Sequence, residues 1–497
     1  MSLDVELPYC FDLPIKPRPE IGKILVSGGT GYIGGRLVRE LMIRGYAIRV
    51  LVRSESPDYG ILWPGVEVFV GDALNYESLC NAMKGVKIAF YLIHSLHFSR
   101  KNIEAIEIEL ASNFRKAAEK NNVGRIIYLG GLGDIQNRKR LSNHLKSRLK
   151  VAEELSKGTI PVTTLRAAII IGSGSASFEI LKNLVKNAPV LLIPKWAWTL
   201  CQPIGIRDII KYLIGVMELN ETRGKIFDIG GATTLSYVEM LKVLSGIFNK
   251  KNIYLKSSFS NYIFYGYVAS FFTPVAAPII MALFESAENE VICLNNDIKK
   301  VLNFEPLTYQ EAIINALDRE EQDGIRTRWS DAYPPAHELA IKLNEIKPPK
   351  YISTFAITTE KSASSLYQSI CKVGGKEGWF HNNWMWRTRG MIDRVLMGVG
   401  TSRGRKSNSS LRVNDVIGFW RIEDLKPDER MLLRAEMKIP GKAWLEFKIG
   451  YLKELTKLSV TAYFSEKGVL GKIYWYLFVP FHNIIFKNLI REIEIRS

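Results

Sequence analysis

The chain has 497 residues, of which 47% are hydrophobic and 24% charged; this is globular composition, which excludes a disordered chain and leaves room for two or three domains. The formal net charge of +17 favours phosphorylated cofactors, anionic membrane surfaces or nucleic acid as partners, although no long Lys/Arg tract dominates and the charge is spread as on a solvated basic surface. Five cysteines (Cys10, Cys80, Cys201, Cys293 and Cys371) form no CxxC pair, so free thiols in a reducing, cytoplasmic compartment are expected.

Residues 1–20 carry no basic-then-apolar leader pattern and read as an extension or strap before the first strand. Strands are predicted at 23–27, 47–53, 66–70, 87–92, 125–129, 162–167 and 225–229. Amphipathic stretches separate them, such as 102–120, where Ile103, Ile106, Leu110 and Phe114 recur at spacings of three and four. The alternation predicts βαβ units and a doubly wound, mostly parallel α/β sheet of Rossmann type over 21–245. Over 246–345 the alternation loosens, which suits a smaller substrate lobe. Within it Tyr262–Phe284 carries no charge and is long enough to span a bilayer. Gly266, Pro274 and Pro278 interrupt it, so a buried helix–turn–helix or a surface dipping into a membrane is expected instead.

Paired prolines in "IKPPKYIS" mark a linker, after which 350–497 forms an α+β domain. It holds six of the ten tryptophans, antiparallel-type strands at 443–450 and 458–464, and a final helix near 470–493. In that helix Tyr474, Leu477, Phe478, Phe481, Ile484 and Ile485 make one apolar stripe, read as core-facing, and Pro480 is expected to kink it.

The stretch "SGGTGYIGG" follows the first strand and opens the first helix. Gly28, Gly31 and Gly34 form a G-x-x-G-x-x-G series: the first permits a tight reversal, the second lets a pyrophosphate approach the backbone, the third lets helix pack on strand. The backbone from Gly28 through Thr30, Gly31, Tyr32 and Ile33 to Gly34 is therefore assigned to a dinucleotide, whose phosphates a helix N-terminus attracts. Arg53 ends the second strand, where an acid would hold a ribose 2′-OH; an arginine suits a 2′-phosphate, with Ser54 adding a hydrogen bond, so NADP is favoured over NAD, the alternative being a plain surface arginine beside Glu55. Asp72, beside Ala73 in "VGDA", is placed either to meet the adenine amino group or simply to form a turn.

With these residues, "RIIYLGGLG" and "GKIFDIGG" resemble the atypical short-chain dehydrogenase/reductase superfamily, in its NmrA-like branch, from residue 21 to about 340. "YLIHS", "HLKSR" and "CQPIGIRD" resemble a nucleoside-diphosphate-sugar epimerase-like subgroup. In that subgroup a helix-grip, START-like domain follows, which "WMWRTRG" and "GKIYWYLFVPFHNIIF" resemble. The resemblance implies a Tyr-x-x-x-Lys pair on the helix after the fifth strand and a Ser or Thr at that strand's end. This chain departs at each point. The strand ends Leu129-Gly130-Gly131, and His144 and Arg148 stand at the four-residue spacing, which puts both on one helix face.

Histidine titrates near neutrality and can be an acid or base; arginine binds ribose or phosphate but donates no proton. Catalysis, cofactor binding without turnover and a structural surface pair all remain open for His144 and Arg148. His94, after the fourth strand, is a further catalytic candidate or a hydrogen-bonded wall residue. The histidines are dispersed and predict no metal site. The short basic runs lie in no nucleic-acid-binding motif.

The expected function is an NADP-binding reductase-like protein acting on a bulky apolar or amphipathic carbonyl or quinone. The alternative is a non-catalytic dinucleotide-binding redox sensor or scaffold. The aromatic surplus of the last domain either lines a cavity for an apolar small molecule or builds a core. The positive charge is also compatible with a weak contact at a membrane surface.

Overall fold

The computed structural model describes residues 8–53, 55–56, 58–94, 103–133, 140–321, 327–331, 343, 349–375, 378–401, 403, 405 and 411–497. The chain divides into two compact units: Met1–Phe272 with Pro278–Tyr333, and Thr273–Ala277 with Pro334–Ser497.

In the first unit seven strands form one sheet: β1 (Lys23–Ser27), β2 (Ile48–Val52), β3 (Glu67–Val70), β4 (Val86–Tyr91), β5 (Arg125–Gly131), β6 (Val162–Ala167) and β7 (Ile226–Ile229). Their order is β7-β6-β5-β4-β1-β2-β3, and every pairing is parallel. Parallel sheets are covered on both faces, which is why β1 reads as an unbroken apolar run and Ile24, Leu25 and Val26 are all fully buried. Strand order reverses between β1 and β4. In such sheets the crevice beyond the carboxyl ends at that reversal is where ligands bind.

The segment after residue 7 is a strap over the first helix, α1 (Tyr32–Ile43): the Tyr9 and Cys10 amides donate to the two oxygens of buried Glu40, each at 3.0 Å. Residues 278–333 belong to the same compact unit as the sheet. The uncharged 262–284 stretch forms two helices, Tyr262–Phe272 and Ala277–Ser286. Each is about 15 Å long, half of what a bilayer core requires.

The second unit is built on a six-stranded antiparallel sheet. Its strands are β8 (Tyr351–Thr359), β9 (Val416–Ile417), β10 (Trp420–Lys426), β11 (Arg430–Ala435), β12 (Gly441–Leu452) and β13 (Leu455–Glu466), in the order β8-β13-β12-β11-β10-β9. Its last helix runs unbroken from Gly468 to Ile495 through Pro480. The stripe read as core-facing is not the buried one: Leu477, Phe481 and Ile484 are exposed, whereas Trp475, Phe486, Leu489, Ile490 and Ile493 are buried. The helix is apolar on nearly every side, so periodicity alone cannot choose its inner face. The choice is made by aromatic partners on the sheet, Trp475 stacking on Phe464 at 5.7 Å and Phe486 meeting Phe355 at 6.2 Å.

Glu436 is a keystone of this unit. Arg403 donates to it at 2.8 Å and Arg421 at 2.5 Å. Burial alone would raise its carboxyl pKa, but the Arg421 and Arg403 charges outweigh burial and hold it well below the usual range. A depressed carboxyl stabilises the fold fully above its unfolded pKa of about 4.3, and that stability is lost as pH falls through the folded value. Glu436→Gln is expected to cost about 3–5 kcal/mol at pH 7, because it strands buried arginines, and to flatten the acid limb of thermal stability. Identical melting of variant and wild type at pH 7 would refute this.

Candidate functional site

The glycine turn sits at the switch point. Parallel register sets Ser27 beside Leu51 on one side and beside Tyr91 on the other. Gly28 has φ +75°, and a Cβ there would lie 2.6 Å from the Leu92 carbonyl oxygen, so both conformation and space require glycine. A Cβ on Gly34 would lie 2.2 Å from the Gly28 oxygen, which is the close helix–turn packing expected of the third glycine. A Cβ on Gly31 would meet the same oxygen at 3.2 Å. Gly31 is the N-cap of α1 and offers no side-chain cap, so the helix start, with Tyr32, Ile33 and Gly34 in its first turn, presents backbone N–H groups to an anion.

Arg53 is exposed immediately beyond β2, next to this turn; Ser54 lies outside the described residues. Asp72 is exposed and accepts the Leu74 amide at 3.0 Å, a local turn bond that engages one carboxylate oxygen. Ala73 is buried against the sheet with Leu25 and Leu51.

The turn has a support that the sequence reading missed. Arg36, buried on α1, donates to the Tyr32 carbonyl at 3.0 Å, the Thr327 carbonyl at 3.1 Å and the Ser173 carbonyl at 2.9 Å, and also bonds the Thr327 hydroxyl. Thr327 donates to the Tyr32 carbonyl at 2.9 Å, and a Cβ on Gly35 would strike its methyl group at 2.6 Å. Thr327 thus closes over the start of α1, while the Trp329 amide donates to the Gly174 carbonyl.

His94, His144 and Arg148 are brought together. His94 follows β4, two residues past the Leu92 carbonyl that crowds Gly28. The helix Asn143–Leu155 carries the other two, and its N-cap Ser142 accepts the Leu145 amide. The two imidazoles are 5.0 Å apart between centroids. Arg148 reaches His94 Nδ1 at 3.3 Å and donates to the Leu129 carbonyl at the end of β5. Tyr128, under the guanidinium at 4.9 Å, donates to the Arg148 carbonyl at 3.0 Å.

Glu107 completes the cluster and was not singled out from sequence. Its Oε1 lies 3.3 Å from His94 Nδ1, and its Oε2 accepts from the Ser147 hydroxyl. A neutral His94 can give Nδ1–H to Glu107 or accept from Arg148, not both; the carboxylate is the stronger partner for an N–H. That tautomer leaves Nε2 a lone pair, and Nε2 is buried with no hydrogen-bond partner.

Burial would raise the Glu107 pKa, but hydrogen bonds from His94 and Ser147 and the Arg148 charge bring it down to about 2. Burial and the Arg148 charge lower that of His94, against the pull of Glu107. Burial, then the charges of His94 and Arg148, lower that of His144 to about 3. Near neutral pH the cluster therefore holds two neutral imidazoles, one carboxylate and one guanidinium.

Beside it, a small hollow is lined by Gly130, Gly131, Leu145, Arg148, Thr164 and Arg166 among others. A Cβ on Gly131 would lie 2.9 Å from the end of the Leu145 side chain, so a larger residue here would have to push that leucine aside. Among the described residues no group of three His, Cys, Asp or Glu side chains is placed to hold a metal ion.

Curated relatives match the chain only in part. The chain is similar to photosystem II assembly factor Ycf39 of Trieres chinensis (22% identical over 210 residues, 42% of this chain and 63% of that one). It is similar to a 3-beta-hydroxysteroid dehydrogenase of Mycolicibacterium neoaurum (28% over 120 residues, 22% and 32%) and to the UDP-glucose 4-epimerase of Rickettsia bellii (26% over 252 residues, 46% and 72%). It thus spans less than two thirds of the first two of these relatives. Among solved structures it is similar to Citrobacter sp. triphenylmethane reductase complexed with NADP(H) (20% identical, 59% of this chain and 99% of that one, TM-score 0.48) and to the Bordetella bronchiseptica enzyme WbmG in complex with NAD (16%, 63% and 98%, TM-score 0.47). Residues 346–489 match a family described as a protein of unknown function (DUF2867). Residues 20–284, which carry the parallel sheet, the glycine turn and the histidine cluster, match the NmrA-like family model; that is more than half of the chain, and the chain belongs to the NmrA-like family.

Proposed function

We propose that this chain is an NADP-dependent reductase-like protein that acts on a bulky apolar or amphipathic carbonyl or quinone. The observation that carries the reading is the convergence of the glycine turn and the His94–Glu107 pair on the two strands flanking the sheet's switch point. The turn fits a dinucleotide. Gly28 sets the tight turn and Gly34 the close helix packing, Gly31 would let a pyrophosphate approach the backbone, the N–H groups at the start of α1 would meet it, and Arg53 would hold a 2′-phosphate. When bound, the nicotinamide would supply or accept a hydride. The chain's own part is proton handling. Glu107 orients His94, whose unprotonated Nε2 takes the proton from a substrate hydroxyl in the oxidative direction and, once protonated, gives it to the carbonyl oxygen in reduction, while the charge of Arg148, anchored on the Leu129 carbonyl, biases the imidazole neutral. His144, its ring 5.0 Å from that of His94, is the second candidate for that step. The names of the dehydrogenase and epimerase relatives support an oxidoreductase-type site.

The second unit is read as a helix-grip, START-like domain, supported by its long helix on an antiparallel sheet. A non-catalytic sensor is the second reading, favoured by glycine where the superfamily keeps a hydroxyl. NADPH oxidation against a panel of carbonyls and quinones separates the two: turnover of any member supports the enzyme, and tight NADPH binding with none supports the sensor.

The cofactor assignment has its own test. In fluorescence titrations NADPH is expected to bind about 10- to 100-fold more tightly than NADH, the worth of one charge-assisted contact, and Arg53→Ala should erase most of that gap. Equal affinities in the wild type would defeat the NADP assignment.

A further inference from the structure

Among the described residues one helix is long and apolar enough to cross a bilayer, the final Gly468–Ile495, yet only 17% of its most apolar window is buried. A core helix of this composition would be covered. Here Val469, Leu470, Ile473, Tyr476, Leu477, Phe481 and Ile484 are all exposed, along about 22 Å of one helix. A second helix of the same unit, Asn383–Val395, repeats the inversion: Trp386 and Asp393 are buried, while Trp384, Met391, Ile392 and Val395 face outward, followed by exposed Leu396 and Met397.

The segment 436–441 ties the two together. Arg389 donates to the Lys438 carbonyl at 3.0 Å, Asp393 accepts the Lys438 amide at 2.6 Å, and the Lys467 amide, at the start of the final helix, donates to the Pro440 carbonyl at 2.9 Å. The two helices that carry the outward apolar faces are therefore both tied to one segment.

The charge around them has one sign. Arg387, Lys438, Lys467 and Lys472 are exposed. The final helix carries no acid before Glu492, and the one acid of Asn383–Val395 is the buried, bonded Asp393. Glu466 is half-buried beside Gly471. An apolar face with Trp and Tyr, fringed by Lys and Arg, is complementary to an anionic lipid surface: apolar side chains enter the acyl boundary and the cations meet headgroups.

We propose that the second unit docks on anionic bilayers through these two helix faces, with the final helix lying in the interface. It does not span, because Trp475, Phe486 and Leu489 hold its other side on the sheet.

The test is flotation of the full chain with phosphatidylcholine vesicles made with and without phosphatidylglycerol. The wild type should float with the anionic vesicles only, and be released by alkaline carbonate. Leu470→Glu/Leu477→Glu should stay at the bottom with unchanged melting, since both side chains are exposed. Lys467→Ala/Lys472→Ala should bind about thirtyfold more weakly, roughly fivefold for each basic residue lost at the surface. Ile61→Glu, an exposed apolar residue of the first unit, should change nothing. Failure of the wild type to float would overturn the proposal. So would resistance to alkali, which means spanning, or a lipid-free dimer abolished by Leu470→Glu/Leu477→Glu, which means a second copy covers the face.

Discussion

Gly34→Ala is expected to weaken dinucleotide binding about 10- to 100-fold and to cost about 1–3 kcal/mol of stability. The added Cβ would stand 2.2 Å from the Gly28 oxygen, 2.8 Å from its carbonyl carbon and 2.9 Å from the Gly29 Cα. All three are backbone atoms, so no side chain can swing away, and the start of α1 must move off the turn. Overpacking of this kind costs about 1–3 kcal/mol. The binding loss equals one charge-assisted hydrogen bond, worth about 1.5–3 kcal/mol, lost when the N–H groups no longer converge. Gly246→Ala is the matched control. It is exposed in the last turn of the helix Tyr237–Ile247, and nothing lies within 4 Å of its added Cβ. It should bind normally and gain about 0.4–1 kcal/mol from a less flexible unfolded chain. Measured by NADPH titration and thermal melting, equal behaviour of the two variants would remove the glycine turn from the site.

His94→Ala is expected to cut turnover by about two to four orders of magnitude, the range for a general acid–base group, with NADPH affinity little changed. In the direction in which His94 takes up a proton, kcat/KM should be level at neutral pH and fall as pH drops through its lowered pKa, because only the neutral ring accepts. Glu107 raises that pKa, so Glu107→Gln should move the acid limb to still lower pH, and Glu107→Asp should restore part of it. A merely structural carboxylate would leave the limb in place. His144, with its pKa near 3, should leave the neutral-pH profile untouched when replaced. Normal turnover by His94→Ala on a substrate that the wild type accepts would show that another group moves the proton.

How much of this was legible in sequence depended on whether a residue's role is local. The central strands of the parallel sheet announce themselves because they, like β1 and β4, are apolar on both faces, and Gly28, Gly31 and Gly34 because turn, approach and packing recur at a fixed spacing. His144 and Arg148 fall on one helix face by arithmetic. Glu107 does not, since its partners lie 13 residues upstream and 40 residues downstream. A signal existed: Glu107 occupies an inward position of its helix between Ile106 and Leu110, where an unpaired acid would be costly. Arg36 gave no such signal, because Thr327 lies in a stretch without periodicity. The final helix misled for the opposite reason, since too many of its positions are apolar for a stripe to mark the inside.

The clasp of Thr327 over the start of α1 also sets an order of events during synthesis. Arg36 and Thr327 are 291 residues apart. At about 5–20 residues per second, some 15–60 seconds separate the emergence of the arginine from that of its last partner. The first βα turn of the sheet thus leaves the ribosome well before the residue that closes it, and through that interval its glycines rest on the β1 pairings with β2 and β4 and on the strap over Glu40, without the Thr327 clasp.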